Sequence, residues 1–121
     1  LALVARELGF ASHAHAARVL RGDPAETDFG TLLHTYGGFL NAWFATYEEA
    51  RASRTVSGGY LIGYKRQFIV VERGYIEALG LDPDDADWEA IGFDMVAPRD
   101  PAARTRLYAK RLHALPDVAP S

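Results

Sequence analysis

The sequence contains no cysteine, and that absence excludes disulfides, thiolate zinc sites and cysteine nucleophiles together. No apolar run approaches the roughly 20 residues needed to cross a bilayer. No basic segment followed by an apolar stretch and a cleavage site opens the chain. A soluble, cytoplasmic protein that does not enter a membrane is therefore expected. Positive charge is in short supply, with 13 Lys and Arg against 16 Asp and Glu and a net charge of -3. General nucleic-acid binders are expected to be basic, so a nucleic-acid partner ranks low. The Gly-x-Ser-x-Gly elbow, the Gly-x-Gly-x-x-Gly turn and the phosphate-binding loop are also missing. No catalytic residue is assigned, no cofactor is expected, and the reading leans away from an enzyme. The chain opens on Leu1 rather than Met and already in helical register, so residues upstream of it are expected.

What is present suits one globular domain: 121 residues, 49% hydrophobic and 24% charged, enough for an ordinary core. Leu32, Leu33, Tyr36, Phe39, Leu40, Trp43, Phe44 and Tyr47 recur at three- and four-residue steps, the period of one helix face. The expected fold is all-α, a compact bundle of five or six short helices around this central aromatic helix. It occupies residues 1–115 and is followed by a loose tail over 116–121. Gly37 and Gly38 interrupt the stripe and predict a kink, a break or a close backbone approach. From Phe39 the helix is expected to run to about Arg54.

Elsewhere the punctuation is local. Gly9 is expected to cap a first helix over residues 1–8, and Ser12 to open a second that ends before Gly22 and buries Ala16, Val19 and Leu20. Residues 64–79 place Tyr64, Phe68, Val71, Tyr75, Ile76 and Leu79 on a helical stripe. The same stretch is rich in residues that favour strands. A helix is preferred because no turn dipeptide marks a hairpin. A strand pair made of 60–64 and 67–72, giving an α+β fold, is the alternative. A short helix is expected around Trp88 to Ile91. Asp100 and Pro101 start a final helix to about Leu112, with Ala103, Leu107 and Leu112 inside and Arg106 and Lys110 in water.

The run Val4-Ala5-Arg6-Glu7-Leu8-Gly9-Phe10-Ala11-Ser12-His13-Ala14-His15-Ala16-Ala17-Arg18-Val19-Leu20-Arg21 resembles the second helix-turn-helix of the AraC-type transcription activators, with Ala16 where that family has a buried Phe. The resemblance implies that Ser12, His13, His15 and Arg18 face DNA. The same opening is similar to short helical leaders in small bacterial proteins.

Metal chemistry finds no support in the spacing. A calcium loop starting at Asp82 needs Gly where Asp87 stands and Glu where Phe93 stands. Asp82, Asp84, Asp85 and Asp87 are better read as loop capping, with Asp82 or Asp87 as the N-cap of the short helix around Trp88. His13 and His15 point to different sides of a helix, and His34 and His113 are isolated in sequence, so no metal site is assigned. Charge is distributed unevenly. Arg51, Arg54, Lys65, Arg66 and Arg73 dominate residues 51–75, and an acidic block with Arg99 as its one cation fills 76–100. Such surfaces can pair within the fold or attract a partner.

Three functions follow, in order. The first is a helical module acting by contact with a protein partner or as a homo-oligomer. The second is a small-ligand binder, or an enzyme without a recognisable motif, whose pocket lies between the central helix and 60–66. Its contributors would be His34, Trp43, Tyr47, Tyr64, Lys65 and Arg66. Lys65 or Arg66 would bind an acid group, an aromatic would stack, and His34 is the candidate base. The third is DNA binding through the first two helices.

Overall fold

A three-stranded antiparallel sheet occupies the middle of this chain, and it overturns the all-α expectation. The structure is a computed structural model that describes residues 8–23, 26–35, 39 and 41–115. Among the described residues the elements run α1 (His13–Arg21), β1 (Ala42–Phe44), α2 (Tyr47–Ser57), β2 (Tyr60–Tyr64), β3 (Gln67–Val71), α3 (Arg73–Ala78), α4 (Ala86–Ala90) and α5 (Pro101–Ala114). The sheet order is β1-β3-β2. Register is set by Trp43 opposite Ile69 and by Ile62 opposite Ile69 on the other side. No described helix is long and apolar enough to cross a membrane. The expected first helix falls almost wholly on residues outside the described set, as do Tyr36, Gly37, Gly38, Leu40 and the tail.

The helix expected over 64–79 is a hairpin followed by a short helix. β2 and β3 join through the two-residue loop Lys65-Arg66, with Lys65 in the left-handed region at φ 51. The α+β alternative describes this segment. The helical reading failed because the sheet is covered on both faces. Tyr60, Ile62, Ile69 and Val71 enter the main core, while Leu61 and Val70 pack with Ala50 of α2 on the other side. A strand buried on both faces reads as a continuous apolar run, and its period carries no information. Gly63 shows how close the packing is: a Cβ there would lie 2.4 Å from the Phe29 ring.

The central aromatic helix is also corrected. Residues 42–44 are extended, Trp43 is 45% exposed, and the helix begins only at Tyr47. Its start is fixed by Thr46, whose hydroxyl accepts from Glu49 N at 3.3 Å and donates to the Glu49 carboxylate at 2.9 Å. This Thr-x-x-Glu pattern is a local helix-start signal, and it wins over a longer stripe of rings. The core is centred instead on Trp88, Tyr75, Ile62, Ile69, Ile76 and Leu107, all nearly dry. Other local readings hold. Ser12 caps α1 by accepting from His15 N, and Gly22 closes it at φ 74. Asp100 caps α5 with Pro101 in its first turn. Leu112 is only half-buried, and Arg104, a charged residue, joins Ala103 and Leu107 inside.

The acidic block is largely spent within the fold. Asp84 makes a bidentate pair with Arg73 at 2.7 and 2.8 Å. Asp85 caps α4 through Asp87 N, and Asp87 accepts from Arg106 and Lys110 of α5. Arg106 and Lys110 thus lie at the surface as expected, with their charges engaged.

Candidate functional site

The six residues expected to share one pocket divide between the two faces of the sheet. On the main-core side, His34 lies 4.5 Å from the Tyr64 ring, Trp43 stands edge-on to Tyr64 at 5.4 Å, and Lys65 Nζ is 5.5 Å from the same ring. The Tyr75 hydroxyl approaches His34 Nδ1 at 3.5 Å and donates to Leu33 O at 2.9 Å. Burial, and then the Lys65 charge, hold the His34 pKa below its usual value, so the ring is neutral at neutral pH. Tyr47, in the first turn of α2, and Arg66, beside Lys65 in the hairpin loop, stand on the opposite face with Leu61, Phe68 and Val70.

That opposite face carries a cavity of about 550 Å³ between α1, the sheet and the segment after Asp94. Its apolar walls include Val19, Phe29, Phe68 and Val96, and both Tyr47 and Arg66 line it. Arg104 of α5 also lines it, with only 4% of its surface exposed. The guanidinium donates from Nε to Met95 O at 2.6 Å, from Nη1 to Val19 O at 3.0 Å and from Nη2 to the Tyr108 hydroxyl at 3.1 Å. Its carbon also sits 4.6 Å from the Tyr108 ring. No carboxylate among the described residues pairs with it. A guanidinium has five N–H donors, so these three bonds leave two. Gly22, beside Nη1, admits the head group, since a Cβ there would approach Nη1 to 3.2 Å. A buried charge held by neutral acceptors remains uncompensated, which is costly unless an anion joins it.

The carboxylates on the rim are engaged elsewhere. Glu26 pairs with His15 Nε2 at 3.2 Å and Arg18 Nε at 3.4 Å, and Asp23 pairs with Arg21 at 3.2 Å. These pairs also decide where the residues aligned with the helix-turn-helix lie. Ser12 is spent on the helix cap and His13 is exposed. His15 is buried, with Nδ1 accepting from Ala11 N and Nε2 2.6 Å from Asp28 O, and Arg18 is half-buried beside Glu26. The carboxylates of Glu26 and Asp28 around His15 and Arg18 oppose contact with a phosphate backbone.

Beyond Tyr47 lies a second, polar cleft of about 380 Å³, lined by Arg51 and Arg54 of α2 and by Arg99. Tyr47 donates to Asp94 Oδ2, while Asp94 Oδ1 accepts from Val96 N and Ala97 N at 2.9 Å each. Burial, followed by this bond to Asp94, pushes the Tyr47 pKa up to about 12. Among the described residues no group of His, Asp and Glu gathers as a metal site.

Arg104 was missed in the sequence because it reads as one more basic residue on an amphipathic helix. Its position four residues before Tyr108 was a weak signal, since that spacing puts a ring beside the guanidinium. Compared with protein-family profiles, curated proteins and solved structures, the chain matches none.

Proposed function

We propose that this chain is a small-ligand binding module that takes an organic acid with an apolar body into the cavity above Arg104. The observation that carries this reading is a buried guanidinium without a carboxylate partner among the described residues, lining a mainly apolar cavity of about 550 Å³. Ligand sites commonly combine apolar walls with a few converging polar groups, and guanidinium is the cation best matched to a carboxylate. In this reading the acid group meets the two remaining Arg104 donors, the apolar body lies against Phe29 and Phe68, and Arg66 stands at the mouth. The reading requires no catalytic step.

Thermal-shift titration with phenylbutyrate and with its uncharged amide tests the proposal. The acid is expected to raise the melting temperature in a saturable way, and the amide much less. Thr27→Trp, at an exposed position on the rim, should block the effect without disturbing Arg104. Equal responses to acid and amide, or an undiminished response in Thr27→Trp, reject it.

A second reading, contact with a protein partner or a second copy, is favoured by Trp43. This large ring is 45% exposed on β1, an edge strand of the sheet, and such edges recruit further strands. Light scattering at rising concentration, with Trp43→Ser as control, decides it. A monomer throughout, unchanged by the substitution, removes self-association.

A further inference from the structure

The cleft on the far side of Tyr47 gathers three arginines against one carboxylate among the described residues. Arg51 and Arg54 lie three apart on one face of α2, with Tyr47 four residues before Arg51. Arg99, from the segment after Asp94, lines the same cleft and crosses the open surface of Gly92, where a Cβ would approach Arg99 Nε to 3.1 Å. Arg54 is fixed in two ways: Nε donates to Gly59 O at 3.3 Å, and its guanidinium carbon lies 5.0 Å from the Phe93 ring. Arg51 and Arg99 have no side-chain hydrogen bond or ion pair among the described residues. Asp94 is the one carboxylate lining the cleft; Tyr47 and two backbone amides hydrogen-bond its oxygens, and its single negative charge stands against three guanidiniums.

The wall is shaped at some conformational cost. Gly92 and Phe93 are consecutive residues with positive φ, 71 and 57. For a bulky residue such as Phe93 that is a real outlier, and outliers of this kind cluster at functional sites. Phe93 is held there from both sides, since its N–H donates to Trp88 O at 2.8 Å and its carbonyl accepts from Leu61 N at 2.9 Å. The result is a fixed ring under Arg54 and a glycine gap for Arg99.

From this convergence we infer a second binding site, a phosphate site formed by Arg51, Arg54 and Arg99 that takes inorganic phosphate or the phosphate group of a small monoester. Like charges gathered in one cleft repel one another, and a doubly charged oxyanion relieves that repulsion while accepting several guanidinium hydrogen bonds. The cleft is a pocket rather than a long basic stripe, and the chain is acidic overall. Both features favour a small phosphate over a nucleic-acid backbone. The site does not depend on the acid-binding reading, because the two cavities share Tyr47 and Ala97 but no arginine.

The test is calorimetric and NMR titration of the full chain with inorganic phosphate and with glycerol phosphate, at ionic strength matched with chloride. Saturable binding of either, with shifts at the amides of Gly92 and Thr55, is expected; the two arms show whether free phosphate or a monoester is preferred. Arg51→Gln and Arg99→Gln alter exposed side chains and should each weaken binding about tenfold, the worth of one lost charge-assisted bond. Thr27→Trp should leave phosphate affinity unchanged. No saturable binding, a response reproduced by chloride, or affinity unaffected by both arginine substitutions overturns the site. Tighter binding to a short DNA duplex, lost in the same two variants, overturns it in favour of a nucleic-acid surface.

Discussion

The Tyr47 hydroxyl donates to the Asp94 carboxylate, joining the first turn of α2 to the segment that follows α4. Tyr47 lines both cavities, so this one bond fixes the wall between the apolar space above Arg104 and the arginine cleft. Asp94 is buried, and its other oxygen already serves two amides. Tyr47 is therefore the donor that makes the second oxygen's burial tolerable.

Tyr47→Phe should destabilise the protein by about 1 to 3 kcal/mol, the cost of leaving a buried acceptor unpaired. The check is urea unfolding, with a lower midpoint at unchanged slope. The same bond sets an alkaline limit. Because the Tyr47 pKa is raised to about 12 in the fold from about 10 unfolded, its contribution is complete below pH 10 and is lost as pH rises through 12. Tyr75, raised to about 12 by burial, adds to the loss in the same window. Spectrophotometric titration should show both phenols ionising only as the protein unfolds.

The acid limit has a different origin. Arg106, and then Lys110, hold the Asp87 pKa down to about 2, so its contribution is present above about pH 4 and disappears as pH falls toward 2. The two cations are about half exposed, so the pairs are worth only about 1 kcal/mol. Asp87→Asn should lower stability by that amount at neutral pH and by almost nothing near pH 2, as measured by urea unfolding across the acid range.

Gly63→Ala tests the contact between β2 and the segment before Thr31. The new methyl would meet the Phe29 ring at 2.4 Å, and overpacking of this kind costs about 1 to 3 kcal/mol. Combining it with Phe29→Ala should cost less than the sum of the single changes, since the two side chains compete for one space. Strict additivity in a double-mutant cycle would mean that the ring moves away freely.

Thr46→Ala removes the group that starts α2 and should cost about 1 kcal/mol. Thr46→Ser, which keeps the hydroxyl, should cost much less. Amide hydrogen exchange at Glu49, whose N–H the threonine accepts, should speed up in the alanine variant alone.

The features legible from sequence are those whose causes lie within a few residues. Ser12 and Gly22 bound α1 and Asp100 and Pro101 start α5, because capping bonds and left-handed turns depend on immediate neighbours; α4 is capped by Asp85 rather than by the expected Asp82 or Asp87. Thr46 and Glu49 belong to the same class, but the helical period of the aromatic stripe runs straight across them and predicts one continuous helix. For residues 60–71 the local signals were indecisive: strand-forming side chains and a helical period coexisted, and tertiary burial on both faces decided between them. The candidate site lay further still from local rules. Val19 and Arg104 meet across 85 positions, and the carboxylates near Arg104 are taken up by His15, Arg18 and Arg21. The sequence by itself determined the bounds of α1 and the start of α5, and that these 121 residues carry no thiol. The tertiary structure alone decided which face of the sheet each aromatic serves and which cations, among the described residues, lack an ion-pair partner, because burial and pairing depend on long-range packing rather than on neighbours in the chain.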